Sequence, residues 1–330
     1  MTREATPDLT PTQRDLLARF SAGETLALAR AITLVENERP GFEGLLEALH
    51  GRLGRARRIG ITGPPGAGKS TLTAGLARLF RDAGETLGVI AVDPSSPFTG
   101  GALLGDRIRM NDLATEPGMF IRSMASRGSH GGLSATTREA TDLMDAFGFD
   151  RVLLETVGVG QSELEIASQA DTTVVVLVPE SGDGIQAMKA GLMEVADVFV
   201  VNKADRPGAD RLRQEIRMVG RLRADPETDA PEPRWDPPIL MTTASSGEGI
   251  GDLAEALDRH HAHLASTGGL AARRRSAALE HTRLVLERAM SRRAARAWRE
   301  ALAAEPDFLE GGASPYAIAR RIVAGICRPD

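Results

Sequence analysis

Short runs of β-branched and aliphatic residues alternate with amphipathic helical stretches between residues 57 and 265. This alternation predicts a mainly parallel sheet covered by helices on both faces, with ligands bound at the carboxyl ends of its strands. The predicted strands are residues 59–62, 89–93, 119–124, 152–155, 172–178, 198–202 and 239–242. We therefore expect the functional residues of the protein at the carboxyl ends of these strands.

The segment before residue 56 has a helical pattern with two helix-start signals. Thr10 precedes a proline and is followed three residues later by Gln13, and Ser21 is followed three residues later by Glu24. Both spacings are those of a capping box, in which a hydroxyl and an amide or carboxylate satisfy free backbone NH groups. They predict two helices that begin after Thr10 and after Ser21.

The segment after residue 266 is also helical in pattern and is rich in arginine, with Leu279, Leu286 and Met290 on recurring faces. A nucleic-acid-binding stripe is conceivable, but the interleaved Glu280 and Glu287 favour a solvated or subunit-facing helix. Residues 224–238 combine prolines and acids that cannot continue a helix, so we interpret them as an exposed loop.

The composition is that of a globular protein, with 42% hydrophobic and 26% charged residues in a chain of 330. Forty basic and 45 acidic residues give a formal charge of −5, which argues against a general nucleic-acid or anionic-membrane partner. The single cysteine, Cys327, allows no internal disulfide. No signal-peptide pattern opens the sequence, and the aliphatic run 174–178 is too short to cross a bilayer. We expect a cytoplasmic protein.

The strand at residues 59–62 leads directly into a glycine-rich loop and then a helical pattern. The loop has the G-x-x-x-x-G-K-[ST] pattern at Gly63, Pro64, Pro65, Gly66, Ala67, Gly68, Lys69 and Ser70, and Thr71 follows it. Glycines let the backbone NH groups wrap a phosphate, the lysine reaches the β- and γ-phosphates, and the serine hydroxyl binds Mg²⁺. A flexible glycine turn is the alternative, but the strand and helix that flank the loop favour a P-loop NTPase.

A second motif, Asn202-Lys203-Ala204-Asp205, follows the strand at residues 198–202. A buried carboxylate at Asp205 would accept hydrogen bonds from the ring NH and 2-amino groups of guanine, which adenine does not offer. Asn202 would bridge toward the base and the P-loop, and the Lys203 stem would lie along the ring. The tetrapeptide alone could equally be a helix cap, but its place downstream of a P-loop favours guanine recognition.

One strand later, the sequence Thr243-Ala244-Ser245 resembles the loop that supports the guanine carbonyl in GTPases. Two other strands end in carboxylates, at Asp93 and at Glu155. A carboxylate in this place beside a P-loop strand holds Mg²⁺ or its coordinated water.

Gly158 follows Glu155 in an E-x-x-G pattern, and its NH would meet the γ-phosphate. In Ras-like enzymes a glutamine follows that glycine, whereas here the next residue is Val159. Since this glutamine orients the attacking water, its absence predicts slow hydrolysis by the isolated protein.

Three further loops are candidates for mobile segments around a triphosphate, at residues 100–106, 127–133 and 180–184. Asp106 in the first is a candidate for a metal or water contact. Ordinary surface turns are the alternative. His260, His261 and His263 have a spacing that could bind a metal, but no cysteine lies near them and we assign them no site.

Taken together, ITGPPGAGKST, VDPSSP, GGALLGDRIRM, MASRGSHGGL, ETVGVGQSE, VNKAD and SSGEGI resemble the methylmalonyl-CoA mutase-associated GTPases, the MeaB, ArgK and MMAA type. The resemblance implies an α/β P-loop NTPase fold in three parts: an N-terminal helical extension (1–55), a GTPase domain (56–266) and a C-terminal helical dimerisation arm (267–330). It implies GTP or GDP bound with Mg²⁺, with Ser70, Asp93, Asp106 and Glu155 at the metal and water site. It also implies Lys189 in a loop that senses the partner.

The same resemblance implies a homodimeric, GTP-dependent chaperone that gates cofactor loading and protects an adenosylcobalamin-dependent acyl-CoA mutase. Two other functions remain open at this point. A nickel-insertion type of metallochaperone GTPase would need a metal-presenting motif near the switch. A kinase acting on a small amino acid or a transport component would need a phosphoryl acceptor.

Overall fold

The computed structural model describes residues 9–93, 113, 115–125, 135–156, 162–179, 191–223, 235–304 and 314–326. The chain divides into two compact units, Met1–Arg275 and Ser276–Asp330. Within the described residues, no helix has the length and apolarity needed to span a membrane.

Seven parallel strands form one sheet in the order β3-β2-β4-β1-β5-β6-β7. They are β1 (Arg57–Thr62), β2 (Leu87–Asp93), β3 (Met119–Ala125), β4 (Arg151–Thr156), β5 (Thr172–Leu177), β6 (Val198–Asn202) and β7 (Ile239–Thr242). Each strand predicted from the sequence is present, so the prediction of a mainly parallel sheet is confirmed. The chain crosses between β4 and β5 from one side of β1 to the other, where α/β proteins bind ligands.

The first unit contains nine described α-helices, and a tenth begins in it. They are α1 (Pro11–Ser21), α2 (Thr25–Glu36), α3 (Phe42–Leu49), α4 (Lys69–Asp82), α5 (Ala135–Phe147), α6 (Ser162–Gln169), α7 (Leu192–Val195), α8 (Ala209–Arg223), α9 (Ile250–Ser266) and α10 (Gly269–Ala304). The second unit contains the rest of α10 and α11 (Pro315–Ile326).

Successive strand residues point to opposite faces of the sheet, and helices cover both faces, so both sets of side chains are buried. On one face, Ile59 and Ile61 of β1 belong to a core that includes Leu72 of α4 and Leu253 of α9. On the other face, strand residues pack with α2 and α5. Burial on both faces explains why the central strands are almost continuously apolar in sequence.

The first helix-start prediction is confirmed and the second is wrong. Thr10 and Gln13 form the expected capping box at the start of α1. Ser21 does not cap a helix but is the last residue of α1. Gly23, at φ +80°, turns the chain there, and the Glu24 NH group closes the turn on the Arg19 carbonyl. A left-handed glycine after a helix is a C-terminal stop signal, and it outweighs the capping pattern.

A buried ion network joins β1 to α5. The Arg58 guanidinium lies 2.8 Å from the Asp142 carboxylate and 2.7 Å from that of Asp145. Burial alone would raise the pKa of the Asp145 carboxyl, but Arg58 and the backbone NH groups of Ala56 and Gly54 outweigh it and lower that pKa. The carboxylate therefore stays charged and fixes the chain where it enters β1.

In the second unit, α10 exposes apolar side chains and solvated ion pairs. Leu279 and Leu286 are 69% and 60% exposed. Arg283 pairs with Glu280 one turn before it and with Glu287 one turn after it, and all three are exposed. Exposed pairs of this kind contribute little to stability, so the charges serve mainly to solvate the helix.

We predict that Asp145→Ala lowers the free energy of unfolding by about 3–5 kcal/mol, because Arg58 would remain buried with one of its carboxylate partners removed. Since the folded pKa of Asp145 is lowered, its contribution is complete above the unfolded pKa of about 3.9 and is lost as the pH falls through the folded pKa. Urea denaturation at several pH values measures both effects. Glu280→Ala, which breaks an exposed pair, is the control and should leave the urea midpoint unchanged. Equal midpoints for the two variants would contradict the prediction.

Candidate nucleotide site

The glycine-rich loop joins the end of β1 to the start of α4, as the sequence predicts. Gly63 has φ +139°, and a Cβ on it would lie 2.1 Å from the carbonyl oxygen of Val176. Gly68, the residue before α4, has φ +86°. Both positions require glycine, because an L side chain is strained at these φ values and would also collide at Gly63. The loop is thereby held close to β5, with the N-terminus of α4 facing the carboxyl edge of the sheet.

Lys69 is buried, and its side chain folds back over the loop. Its Nζ donates hydrogen bonds to the carbonyl oxygens of Gly63 at 2.7 Å and Pro64 at 2.9 Å. Within the same turn, Thr73 Oγ1 donates to the Lys69 carbonyl at 2.9 Å. An ammonium group is therefore held at the first turn of a helix, where the helix dipole already favours an anion.

Ser70 and Glu155 meet beside the loop, and both are buried. Ser70 Oγ donates a 2.6 Å hydrogen bond to Glu155 Oε1. The contact follows from the parallel register, which places Glu155 of β4 beside Ile61 of β1. A hydroxyl and a carboxylate at this spacing are the hard oxygen ligands that suit Mg²⁺, so the residues present fit that ion.

Asp93 ends β2, which pairs with β4. Its side chain lies outside the described residues, as do Asp106 and Gly158. The candidate mobile loops at 100–106, 127–133 and 180–184, and Lys189, also fall outside them. Their predicted roles therefore stay predictions.

Asn202, at the end of β6, links three parts of the site. Its Nδ2 donates to the carbonyl oxygen of Ala67 in the glycine-rich loop at 2.8 Å. Its Oδ1 accepts from Thr242 Oγ1 and from the Ala244 backbone NH, both at 3.1 Å. A Cβ on Gly68 would lie 2.4 Å from the same Nδ2 atom. One buried amide thus holds the phosphate loop against the loop that follows β7.

The remaining residues of the second motif form a turn after β6. Lys203 has φ +57°, and the Ala204 NH donates to the Thr242 carbonyl at 3.0 Å. Asp205 is exposed in this turn, so the prediction of a buried carboxylate is wrong for this structure. The reason is its position three residues beyond Asn202, where the chain has already left the sheet.

The loop after β7 is closed by its own backbone. The Thr243 NH donates to the Glu248 carbonyl at 3.1 Å, and Ser246 returns hydrogen bonds to the Thr243 carbonyl. Thr243 is buried, whereas Ser245 is exposed. The structure therefore brings Asn202, Thr243 and Ala244 together and leaves Ser245 at the surface beside them.

Two buried threonines at this edge were missed by the sequence analysis. Thr156, the last residue of β4, donates through Oγ1 to Thr62 Oγ1, the last residue of β1, at 3.1 Å. Hydroxyls at the ends of two adjacent apolar strands are a signal that would have identified them.

The three histidines near the end of α9 do not form a metal centre. His260 is fully buried, with Nδ1 2.8 Å from Thr172 Oγ1 and the ring centroid 4.8 Å from that of Trp235. Burial lowers the pKa of His260 to about 4, which outweighs the opposite effect of Asp197. Among the described residues, no group of three or more His, Cys, Asp or Glu could hold a metal ion. His260 packs the core as a neutral ring.

Comparison with known proteins finds similarity to GTPases. The model of a family described as Methylmalonyl Co-A mutase-associated GTPase MeaB matches residues 28–298. A Pyrococcus horikoshii protein named as a GTPase is 48% identical over 82% of this chain and 85% of its own length. The GTPase ArgK of Escherichia coli is 38% identical over 82% of this chain and 83% of its own.

Two further similarities extend the comparison. The mouse protein named Methylmalonic aciduria type A homolog, mitochondrial, is 36% identical over 77% of this chain and 64% of its own. Among solved structures, that of a LAO/AO transport system kinase matches with a TM-score of 0.68 and 31% identity, covering 99% of this chain and all of that one.

We predict that Asn202→Ala weakens GTP binding at least about tenfold and lowers the free energy of unfolding by about 1–3 kcal/mol, because the side-chain hydrogen bonds of Asn202 to Ala67, Thr242 and Ala244 are lost. Titration calorimetry and urea denaturation measure the two effects. Asn37→Ala is the matched control: its exposed amide donates to the Thr33 carbonyl far from the site. Unchanged GTP affinity in Asn202→Ala would show that the amide does not organise the phosphate loop.

Proposed function

Because the chain belongs to the family of methylmalonyl-CoA mutase-associated GTPases, MeaB, we propose that this GTPase is a chaperone for an adenosylcobalamin-dependent acyl-CoA mutase. In this proposal it gates loading of the cofactor and protects the mutase, with methylmalonyl-CoA mutase as the client. The observation that carries the proposal is the family match over residues 28–298, which includes the whole described sheet. The name of the mouse relative, which refers to methylmalonic aciduria, supports the same client.

The protein hydrolyses GTP to GDP and phosphate, and the site suggests how its residues contribute. A water oxygen attacks the γ-phosphorus while the bond from that phosphorus to the β-phosphate oxygen breaks. The phosphates would lie in the glycine-rich loop at the N-terminus of α4, formed by Gly63, Pro64, Pro65, Gly66, Ala67, Gly68, Lys69, Ser70 and Thr71. All of these residues except the two prolines have a backbone NH group that can donate to a phosphate oxygen. Lys69 would exchange its loop carbonyls for β- and γ-phosphate oxygens and so stabilise charge in the transition state.

The magnesium ligands follow from the same contacts. Ser70 and Glu155 would hold Mg²⁺ directly or through water, with Asp93 and Asp106 completing the site. When bound, the ion would neutralise charge on the β- and γ-phosphates. The hydrogen bond from Ser70 places the Glu155 carboxylate beside the glycine-rich loop, where the ion would bind.

The γ-phosphate would be sensed by Gly158, two residues beyond the end of β4. Loss of that phosphate on hydrolysis would release the segments it orders, and this change of state would act on the mutase. Val159 occupies the place of the water-orienting glutamine of Ras-like enzymes. We therefore propose that hydrolysis is slow in the isolated protein and is stimulated by the mutase.

Guanine would be read at the ends of β6 and β7. Asp205 would accept from the ring NH and 2-amino groups, and its exposed position in the turn leaves it accessible to the base. Lys203 would lie along the ring, and the segment Thr243, Ala244 and Ser245 would lie beside the guanine carbonyl. The NH groups of Thr243 and Ala244 are bonded to Glu248 and Asn202 in this structure, so Ser245 would supply the NH donor. Asn202 would position both loops, as its hydrogen bonds already do.

We further propose a cytoplasmic homodimer, with no nucleic-acid or membrane partner. The apolar residues that α10 exposes in the second unit, Leu279, Leu286 and Met290, recur at helical spacing and would pack against a second copy. The three-part division at residues 55 and 266 belongs to this proposal, with residues 267–330 as the dimerisation arm.

The base assignment predicts that GTP and GDP bind at least about 100-fold more tightly than ATP, and that Asp205→Ala removes this preference while the phosphate contacts remain. Calorimetric titration of each nucleotide measures the ratio. Asp210→Ala, which removes another exposed carboxylate at the first turn of α8, should keep the preference. Equal affinity of the unmodified protein for ATP and GTP would refute guanine recognition.

The chaperone role predicts that a purified adenosylcobalamin-dependent acyl-CoA mutase accelerates phosphate release at least about tenfold, since the partner would supply what Val159 lacks. Lys69→Ala, with its loop ammonium removed, should show no acceleration. An unchanged rate with every such mutase of the source organism would contradict the proposal. Transfer of the γ-phosphate to an amino acid or a transport protein, followed with labelled GTP, would instead favour the kinase alternative.

A further inference from the structure

Two aspartates lie at the amino ends of the strands, opposite the nucleotide site, and each joins two neighbouring strands. Asp171 directly precedes β5, and its Oδ2 accepts the backbone NH of Arg58 in β1 at 3.0 Å. Asp197 directly precedes β6, and its Oδ2 accepts the backbone NH of Thr173 in β5 at 2.8 Å. The starts of β1, β5 and β6 are thus joined by two buried carboxylates.

Two consecutive arginines of α10, within the first unit, bind these same carboxylates. Arg273 makes a bidentate pair with Asp197, with both N···O distances at 2.7 Å. Arg274 makes a bidentate pair with Asp171 at 2.9 and 2.7 Å. Arg273 also donates to the Asp171 backbone carbonyl at 3.0 Å. We call these four residues the basal clamp.

The basal clamp also reaches the chain that leads into the sheet. Arg274 donates to the carbonyl oxygens of Gly54 and Ala56, and the Ala56 contact is 2.9 Å. These residues connect the N-terminal helices to β1, and Asp145 binds their NH groups from the other side. The first turns of α10 therefore touch the entry to β1 and the starts of β5 and β6.

Two of these three strands, β1 and β6, lead at their other ends into the nucleotide site. β1 leads into the phosphate loop, β6 ends at Asn202, and β5 lies between them. From this placement we infer that the basal clamp couples the nucleotide state of the site to the first turns of helix α10. A shift of β1 relative to β6 on exchange of GTP for GDP would change the spacing of the two carboxylates that hold the arginines.

The two sides of the clamp differ in burial, and this makes it able to open. The carboxylates of Asp197 and Asp171 are 7% and 4% exposed, whereas the side chains of Arg273 and Arg274 are 40% and 27% exposed. An arginine can leave toward water, but the carboxylates stay with the strands. Each bidentate pair requires a fixed geometry of guanidinium and carboxylate. A small movement of the strands would therefore break the arginine–aspartate pair instead of lengthening its hydrogen bonds.

Hydrogen bonds to Asp197 and Asp171 raise the pKa values of Arg273 and Arg274 above an ordinary value that is already high. The neutral ring of His260 also lies near the Asp197 carboxylate, with its Nε2 3.4 Å from Oδ1. Both arginines therefore remain charged.

Hydrogen–deuterium exchange on the full-length protein tests the inference, with GDP in one sample and the non-hydrolysable analogue GMPPNP in the other. We expect backbone NH groups of residues 269–276 to exchange at rates that differ about fivefold or more between the two nucleotides. The double variant Arg273→Lys/Arg274→Lys keeps both charges but loses the bidentate geometry, and this difference should disappear. Arg275→Lys, at the next and exposed residue, is the matched control and should retain it.

A second readout separates coupling from loss of stability. In the unmodified protein, the exchange rates of residues 269–276 differ between GDP and GMPPNP by a certain factor. If the double variant loses this difference, linkage requires that its ratio of GMPPNP to GDP affinity change by the same factor. A purely structural clamp would weaken both nucleotides equally. If the double variant does not fold, as judged by circular dichroism, Arg273→Lys alone is used with the same expectation in reduced size.

Two results would overturn the inference. The first is exchange at residues 269–276 that is the same with GDP and GMPPNP in the unmodified protein. The second is a nucleotide-dependent difference that persists in the folded lysine variant with an unchanged affinity ratio. Neither result depends on the mutase, so the inference and the proposed chaperone role can fail separately.

Discussion

Parallel pairing of all seven strands is the constraint on which the site depends. It brings the carboxyl ends of β1, β4, β6 and β7 to one edge, although the residues there are far apart in the chain. The register of β1 with β4 sets Glu155 beside Ile61, and Ser70 then meets Glu155 at 2.6 Å. A shift of one residue would turn that carboxylate to the opposite face of the sheet. The site is therefore a property of strand pairing as much as of its motifs.

Two sets of interactions hold the aligned parts of this site together. Lys69 and the glycines fold the glycine-rich loop on itself, and Asn202 attaches this loop to the segment that follows β7. Each uses buried polar side chains that make several hydrogen bonds, which gives a polar network its rigidity. The opposite edge is organised by the same physics, with Asp171 and Asp197 satisfied by backbone NH groups and arginines. The carboxyl ends of the strands thus carry the candidate nucleotide site, and the amino ends carry the basal clamp.

Features encoded locally could be predicted from the sequence. The strands, the phosphate loop and the Thr10 capping box depend on residues within a few positions of one another, and all are confirmed. Ser21 shows the limit of local reasoning, because a glycine two residues later ended the helix that the hydroxyl was expected to begin. Asp205 shows another, since exposure depends on where the chain leaves the sheet. The pairs of Arg273 and Arg274 could not be predicted, because their partners lie 76 and 103 residues away.

A crystal structure of the protein grown with GDP and Mg²⁺ tests the central claim most directly. The account predicts the diphosphate within the loop of residues 63–70, the ion beside Ser70, and the guanine edge at Asp205. Density for the nucleotide at another place, or a phosphate loop still closed on itself by Lys69 with GDP in excess, would contradict it.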